Sequence, residues 1–386
     1  MRLLPGSLFL ASDLSRLLSA FALAYVVGHI VAGSWADAKG PRRVALLGGL
    51  ISAAATAAML LMHTSHGLLA LQLLNGFGQG LGFPALARML AVWFNRQERP
   101  TILAWWSSSY SLGGILAASL ALWCATTTLF LPAWGWSRCL MLPPLFLVAI
   151  SLWFFRVTRD DPEQLGLAPV ADPSPLAHWR GGWWSVLRNR HIRTIAAMYF
   201  FLKMTRYALL FWLPLYLVQT TQSSENRAAT SSSLFEIFGF VGALLAVHLS
   251  VRFFAGRRYP VATILLLCVG FLALLAPLIA PLGWWASAIN ITLMGMMVYA
   301  VDALMVSVAV LESVPLSHAA RAIATVNGVG SVGQMLAPLL VTWFAHRFGW
   351  DNLFNLFLIT SLVAAAIVAP RWNQENVEAA EEAAAA

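Results

Sequence analysis

Apolar and polar positions in this chain do not alternate finely; they fall in long blocks. About eleven blocks are long enough to cross a bilayer as helices, lying near 15–35, 43–62, 67–92, 101–123, 139–156, 194–219, 230–252, 260–280, 284–311, 321–345 and 351–370. A helix rises about 1.5 Å per residue and the hydrocarbon layer is about 30 Å thick, so some 20 apolar residues suffice. The gaps between blocks are short, except for the Pro-, Asp- and Arg-rich segment from Arg156 to Arg193. The pattern predicts an all-α polytopic membrane protein in four parts. Residues 1–156 form one helical bundle, 157–193 a central loop, 194–371 a second bundle and 372–386 a tail.

Composition sharpens this. Of 386 residues, 60% are hydrophobic and 10% charged, with mean hydropathy +0.74. A soluble domain carries more charge and cannot bury so much apolar surface, so the lipid bilayer is the expected surrounding. The net charge of +8 does not mark a nucleic-acid binder, because the arginines sit in the gaps between apolar blocks. Lys39, Arg42 and Arg43, then Arg96 and Arg99, the Arg156–Arg193 segment, Arg252, Arg257 and Arg258, Arg321 and Arg371 occupy one alternating set of gaps. By the positive-inside rule that set is cytoplasmic. The expected location is the cell inner membrane, multi-pass, with the C-terminus inside, Met1 outside and an odd number of spans.

Several chemistries find no support. Three cysteines make no CxxC pair; Cys124 and Cys139, at the two ends of one hairpin, leave a bridge open, and Cys268 reads as packing. The histidines lack ligand spacing on a common face, so no metal is expected. No phosphate-binding loop or dinucleotide fingerprint occurs, so no cofactor and no enzyme activity are expected.

After the first block the chain reads Gly33-Ser34-Trp35-Ala36-Asp37-Ala38-Lys39-Gly40-Pro41-Arg42-Arg43. Gly33 allows close helix approach, Asp37 can pair with arginines or cap the next helix, and Gly40 permits a tight turn. This resembles the signature loop of the major facilitator superfamily. Further stretches narrow the resemblance: Leu74-Asn75-Gly76-Phe77-Gly78-Gln79-Gly80-Leu81-Gly82-Phe83-Pro84 with Arg88, Arg159-Asp160-Asp161-Pro162-Glu163-Gln164-Leu165-Gly166-Leu167, Arg206-Tyr207-Ala208-Leu209-Leu210-Phe211-Trp212, Phe235-Glu236, and Phe348-Gly349-Trp350-Asp351. Together they are similar to the organophosphate:phosphate antiporters, the glycerol-3-phosphate and hexose-phosphate transporters. The resemblance implies two helical bundles rocking about a central site. It also aligns the first block with the family's second helix, leaving the family's first helix, with one of its two phosphate-binding arginines, without a counterpart. Either the start codon is placed too late or the gene is truncated.

Charges inside apolar blocks are costly unless paired or hydrated, so each is a candidate. The resemblance implies that Arg206, near the middle of its block, binds substrate phosphate; the alternative is a brace to Glu236 or Asp302. Lys203, three residues earlier, lies on nearly the same helix face and either adds a second positive charge to the site or pairs with Glu236. Glu236 and Asp302 are expected ion-pair partners, Asp302 for Lys203 or Arg206, and a titrating Asp302 would also suit proton coupling. His29 and Tyr110 occupy places where the glycerol-3-phosphate transporter carries a lysine and a histidine, which sets glycerol 3-phosphate in doubt as substrate. Trp106 is a candidate cavity-lining residue. Asp37, Arg42 and Arg43 are candidates for gating contacts, Arg88 for snorkelling to the interface, and Glu312 with Arg321 for a salt bridge. Tryptophans at block ends, Trp183 and Trp184 among them, suit an interfacial belt.

The expected function is exchange of an organic phosphate for inorganic phosphate by alternating access. The alternatives are a transporter-like sensor of external hexose phosphate signalling to a membrane histidine kinase, or a truncated, inactive homologue.

Overall fold

The computed structural model describes residues 11–373 apart from 63, 96–97, 108, 130, 169–181 and 221–224. No strand occurs among the described residues. Before the central segment come α1 (Ala11–Lys39), α2 (Pro41–Ala58), α3 (Ser65–Trp93), α4 (Arg99–Ser107), α5 (Ser109–Thr126) and α6 (Leu142–Val157). A short α7 (Trp183–Arg188) lies within that segment. After it come α8 (Arg190–Thr220), α9 (Glu225–Phe254), α10 (Arg258–Ile279), α11 (Trp284–Asp302), α12 (Val310–Glu312), α13 (Ala319–Phe348) and α14 (Leu353–Val368). A π-helical stretch, Ala303–Ala309, joins α11 to α12 without a turn between them. Among the described residues, eight helical segments are long and apolar enough to cross a membrane by length and composition alone. The other helices of the two bundles include α3, α8 and the α4–α5 pair.

The helices stop where the chain supplies a reason. Gly40, at φ +89, turns between α1 and α2, and Pro41 opens α2 where its missing N–H is not needed. The Thr64 hydroxyl caps α3 by accepting the Gly67 amide. In the first bundle α3 packs against α1 and α2, and α2 against α6; in the second α8 packs on α13 and α14, α9 on α11, and α10 on α11 and α14. Between bundles, α1 crosses α13, while α4 and α5 lie on α9 and α4 reaches the π-helical stretch.

Small residues permit the closest crossings, as expected where lipid gives helices no hydrophobic reason to associate. At the α1–α3 crossing a Cβ on Gly80 would stand 3.0 Å from Gly28 Cα and closer still to the Tyr25 carbonyl. Two positions on, a Cβ on Gly82 would meet nothing.

At the arginine-rich end the bundles are latched together. Asp37 of α1 pairs with Arg88 of α3 at 2.8 Å and with Arg321 of α13 at 3.5 Å. Arg88 also donates to the Ala36 carbonyl at 2.9 Å. Ala320 of α13 is buried among Ala32, Ala36, Val44, Leu81 and Ala85, so one small apolar cluster spans both bundles. Trp183 of α7 donates to Ser34 Oγ at 2.8 Å and its ring lies against Gly33, opposite Ala324.

Several expectations are corrected here. Arg88 does not snorkel; it is the main partner of Asp37. Arg42 and Arg43 do not join Asp37: the Arg42 amide and guanidinium donate to Asp160 and the Thr158 carbonyl, and Arg43 is exposed. Glu312 pairs with Arg258 at 2.8 Å, not with Arg321, which turns across the bundle interface to Asp37. Trp183 faces the latch instead of an outer belt, whereas Trp184 is exposed. Of the alternatives left open for Cys124 and Cys139, the structure has free thiols, and no expectation is corrected there.

Gly80→Ala should destabilise the protein by about 1–3 kcal/mol through overpacking. Gly82→Ala should be neutral or stabilise by up to about 1 kcal/mol, since alanine is the better helix former; melting temperatures in detergent read both. Asp37→Asn should loosen the latch. In a variant lacking the three native cysteines, Ala324→Cys should then react severalfold faster with an impermeant maleimide than it does when Asp37 is intact.

Candidate functional site

Midway along α8, two cations are buried side by side. Lys203 is 3% and Arg206 5% exposed. Arg206 Nη1 donates to Asp302 Oδ2 at 2.6 Å, joining α8 to the last residue of α11. Arg206 also lies 3.9 Å above the ring of Tyr299, whose hydroxyl donates at 2.5 Å to Glu236 of α9. Three helices of the second bundle are therefore tied through one guanidinium. Of the two partners left open by the sequence, Asp302 takes Arg206 and not Lys203, and Glu236 accepts from a tyrosine.

Lys203 has a different environment. Its Nζ donates to Ser331 Oγ of α13 at 2.8 Å and lies between the rings of Tyr25, Tyr199 and Tyr207, at 5.3, 5.5 and 5.8 Å from their centroids. No carboxylate among the described residues comes within ion-pair distance of it. Tyr25 belongs to α1, so Lys203 reaches the first bundle through an aromatic face. The ring of Tyr25 lies 4.3 Å from that of His29.

His29 is fully buried. Its Nδ1 stands 3.0 Å from the Tyr25 carbonyl. A carbonyl only accepts, so Nδ1 carries the proton and, in the neutral ring, Nε2 is left as an acceptor. Nε2 is buried and has no hydrogen-bond partner among the described residues. The His29 ring continues to Phe83 and from there to Trp106, which stacks on Phe83 at 4.6 Å. Tyr110 lies on α5, with its side chain outside the described residues.

The helices thus bring Arg206, Lys203, Asp302, Glu236 and His29 into one cluster, with Trp106 at its edge. Asp37, Arg42 and Arg43 lie elsewhere, at the arginine-rich end. The sequence reading missed the tyrosines 25, 199, 207 and 299, because a tyrosine in a membrane helix is as readily a packing residue. It also missed a polar stripe on α13. Asn327, Ser331 and Gln334 are buried and follow the i, i+4, i+7 spacing of one helix face. Asn327 Nδ2 and Gln334 Oε1 have no hydrogen-bond partner among the described residues. That spacing in an otherwise apolar block was the available signal.

Chemically, the cluster holds two cations and two carboxylates. The guanidinium offers a planar fork suited to phosphate or carboxylate, and the ammonium offers N–H groups beyond the one given to Ser331. The residues fit an oxyanion better than a neutral ligand. Among the described residues no group of His, Cys, Asp and Glu could hold a metal ion.

Comparison with known proteins agrees with this architecture. The profile of the Major Facilitator Superfamily matches residues 9–310. The glycerol-3-phosphate transporter of Bacillus subtilis is 25% identical over 385 residues, covering 95% of this chain and 85% of that protein. A probable hexose phosphate transport protein of Chlamydia pneumoniae is 28% identical over 392 residues, covering 92% and 82%. Among solved structures, the proton:xylose symporter XylE aligns with a TM-score of 0.76 at 14% identity, covering 94% of this chain and 86% of that one. The Escherichia coli fucose:proton symporter FucP aligns at 0.71 with 15% identity, covering 94% and 91%. With the match running over most of its length and the same all-helical architecture, the chain belongs to the Major Facilitator Superfamily.

Proposed function

We propose that this transporter exchanges an organic phosphate for inorganic phosphate by alternating access. The observation that carries the reading is Lys203, buried beside Arg206 and lacking a carboxylate in ion-pair distance among the described residues. Burying an ammonium against a neutral hydroxyl costs several kcal/mol, whereas a bound anion offsets that cost. Phosphate oxygens would take the N–H groups of Lys203 and share the Arg206 fork with Asp302. Either inorganic phosphate or the phosphate of a larger molecule meets that need, so each can accompany one reorientation and exchange follows. The organic part would find acceptors and donors in His29 Nε2, Asn327 and Gln334, a set matched to sugar hydroxyls.

The movement is carried by the contacts between bundles. Tyr25 and His29 move with α1, and Lys203 and Arg206 with α8, so substrate bound between them feels both bundles. The arginine-rich end faces the cytoplasm by its charge, which makes the Asp37–Arg88–Arg321 latch the inner closure. The names of the glycerol-3-phosphate and hexose-phosphate relatives support a phosphorylated substrate.

Counterflow in proteoliposomes tests this. Vesicles loaded with phosphate should take up labelled phosphate, and glucose 6-phosphate should compete. Arg206→Lys keeps the charge that Asp302 needs but loses the planar fork, and exchange should fall by about tenfold or more. Exchange equal to that of the parent would overturn the assignment, and binding of hexose phosphate without any exchange would favour a sensor. Gln334→Leu should weaken competition by glucose 6-phosphate about tenfold while leaving phosphate self-exchange unchanged.

A further inference from the structure

Far from the central cluster, a cleft of about 480 Å³ opens at the arginine-rich end, lined by Arg42, Phe155, Arg156, Arg159 and Gln164. We propose that this cleft binds the phosphate-bearing headgroup of an anionic membrane lipid. Three guanidinium groups converge on it from two helices and the loop after α6. Arg42 is fixed in place: its guanidinium lies 4.2 Å over the Phe155 ring and donates from Nη1 to the Thr158 carbonyl at 2.7 Å. Its Nε is buried and makes no hydrogen bond to any described residue, leaving one N–H unspent. Arg159 donates to the carbonyls of Arg156 and Thr158, which tethers the side chain without neutralising it. Arg156 forms no ion pair among the described residues. The carboxylate of Asp160 accepts the Arg42 backbone amide at 2.7 Å and lies against Gly40.

Position selects a lipid over a soluble anion. Phe146, Ile150, Trp153 and Val157 of α6 are all exposed and follow helical spacing along one face, which ends beside Arg156. Acyl chains lying on that face would set their headgroup at the cleft. Charge assigns this end to the cytoplasmic leaflet, and basic pockets between helices at that depth suit acidic headgroups. Arg42 is the second residue of α2, just after the turn that follows Asp37, so an occupied cleft would also brace the loop next to the latch. None of these residues belongs to the central anion site.

Arginine modification tests the assignment with the full chain in vesicles. In phosphatidylcholine containing phosphatidylglycerol, Arg156 and Arg159 should react with phenylglyoxal about tenfold more slowly than in phosphatidylcholine alone. Arg252, exposed at the same end of the molecule, should be unaffected. Equal protection of Arg252 would mean general surface accumulation and overturn the proposal. Protection by millimolar inorganic phosphate in phosphatidylcholine, equal to that by phosphatidylglycerol, would assign the cleft to a soluble anion and overturn it too. The Arg156→Gln/Arg159→Gln variant, whose melting temperature in detergent should match the parent, should lose phosphatidylglycerol retention in native mass spectrometry by about 30-fold. Unchanged retention would contradict the assignment.

Discussion

Two cations buried midway along a membrane helix must be neutralised or solvated at every moment, and this constraint organises the rest of the molecule. Arg206 meets it with Asp302 at 2.6 Å and the face of Tyr299. Lys203 meets it with Ser331 and three tyrosine faces, with no carboxylate in ion-pair distance among the described residues. Breaking a buried pair from one side costs about 3–5 kcal/mol, more than most single packing contacts contribute. The helices that carry these partners, α8, α9, α11 and α13, are therefore held together by charge, and Gly239 against Tyr299 and Gly330 against Tyr199 let them approach closely.

The same molecule needs these contacts to be exchangeable. Its two bundles meet through α1 on α13 and through α4 and α5 on α9, and one large apolar cluster runs from Phe83, Ala87, Ala91 and Leu103 of the first bundle into the second. At the arginine-rich end the closure is a three-residue ion cluster over a small apolar patch in which Ala320 of α13 meets Ala32, Ala36, Val44, Leu81 and Ala85. Directly after Asp302 the chain runs for seven residues as π-helix, Ala303–Ala309, against α4. Such segments carry strained hydrogen bonding and often mark functional positions. Here it lies next to the carboxylate that holds Arg206.

Much of this was legible in the sequence. Membrane-crossing blocks are a matter of mean polarity over about 20 residues, so the helices and the long central segment could be read without knowing any packing. Arg206, Lys203, Glu236 and Asp302 stood out because charge within an apolar block is rare. Their pairing was not legible. Which carboxylate meets which cation depends on how each helix is rotated about its axis, and Glu312, Arg258 and Arg321 show the same difficulty at the arginine-rich end. The tyrosines around Lys203 and the inward turn of Trp183 were hidden for another reason: aromatic side chains serve equally at interfaces, in packing and around cations.

In the proposed exchange, Asp302 stands in for a phosphate oxygen at Arg206. The direct measurement is the melting temperature of Asp302→Asn and of the parent protein, each with and without inorganic phosphate. Asparagine removes the internal anion, so phosphate should raise the melting temperature of the variant by more than it raises that of the parent. An equal or smaller shift in the variant would mean that phosphate does not share Arg206 with Asp302, and would contradict an anion site built on that pair.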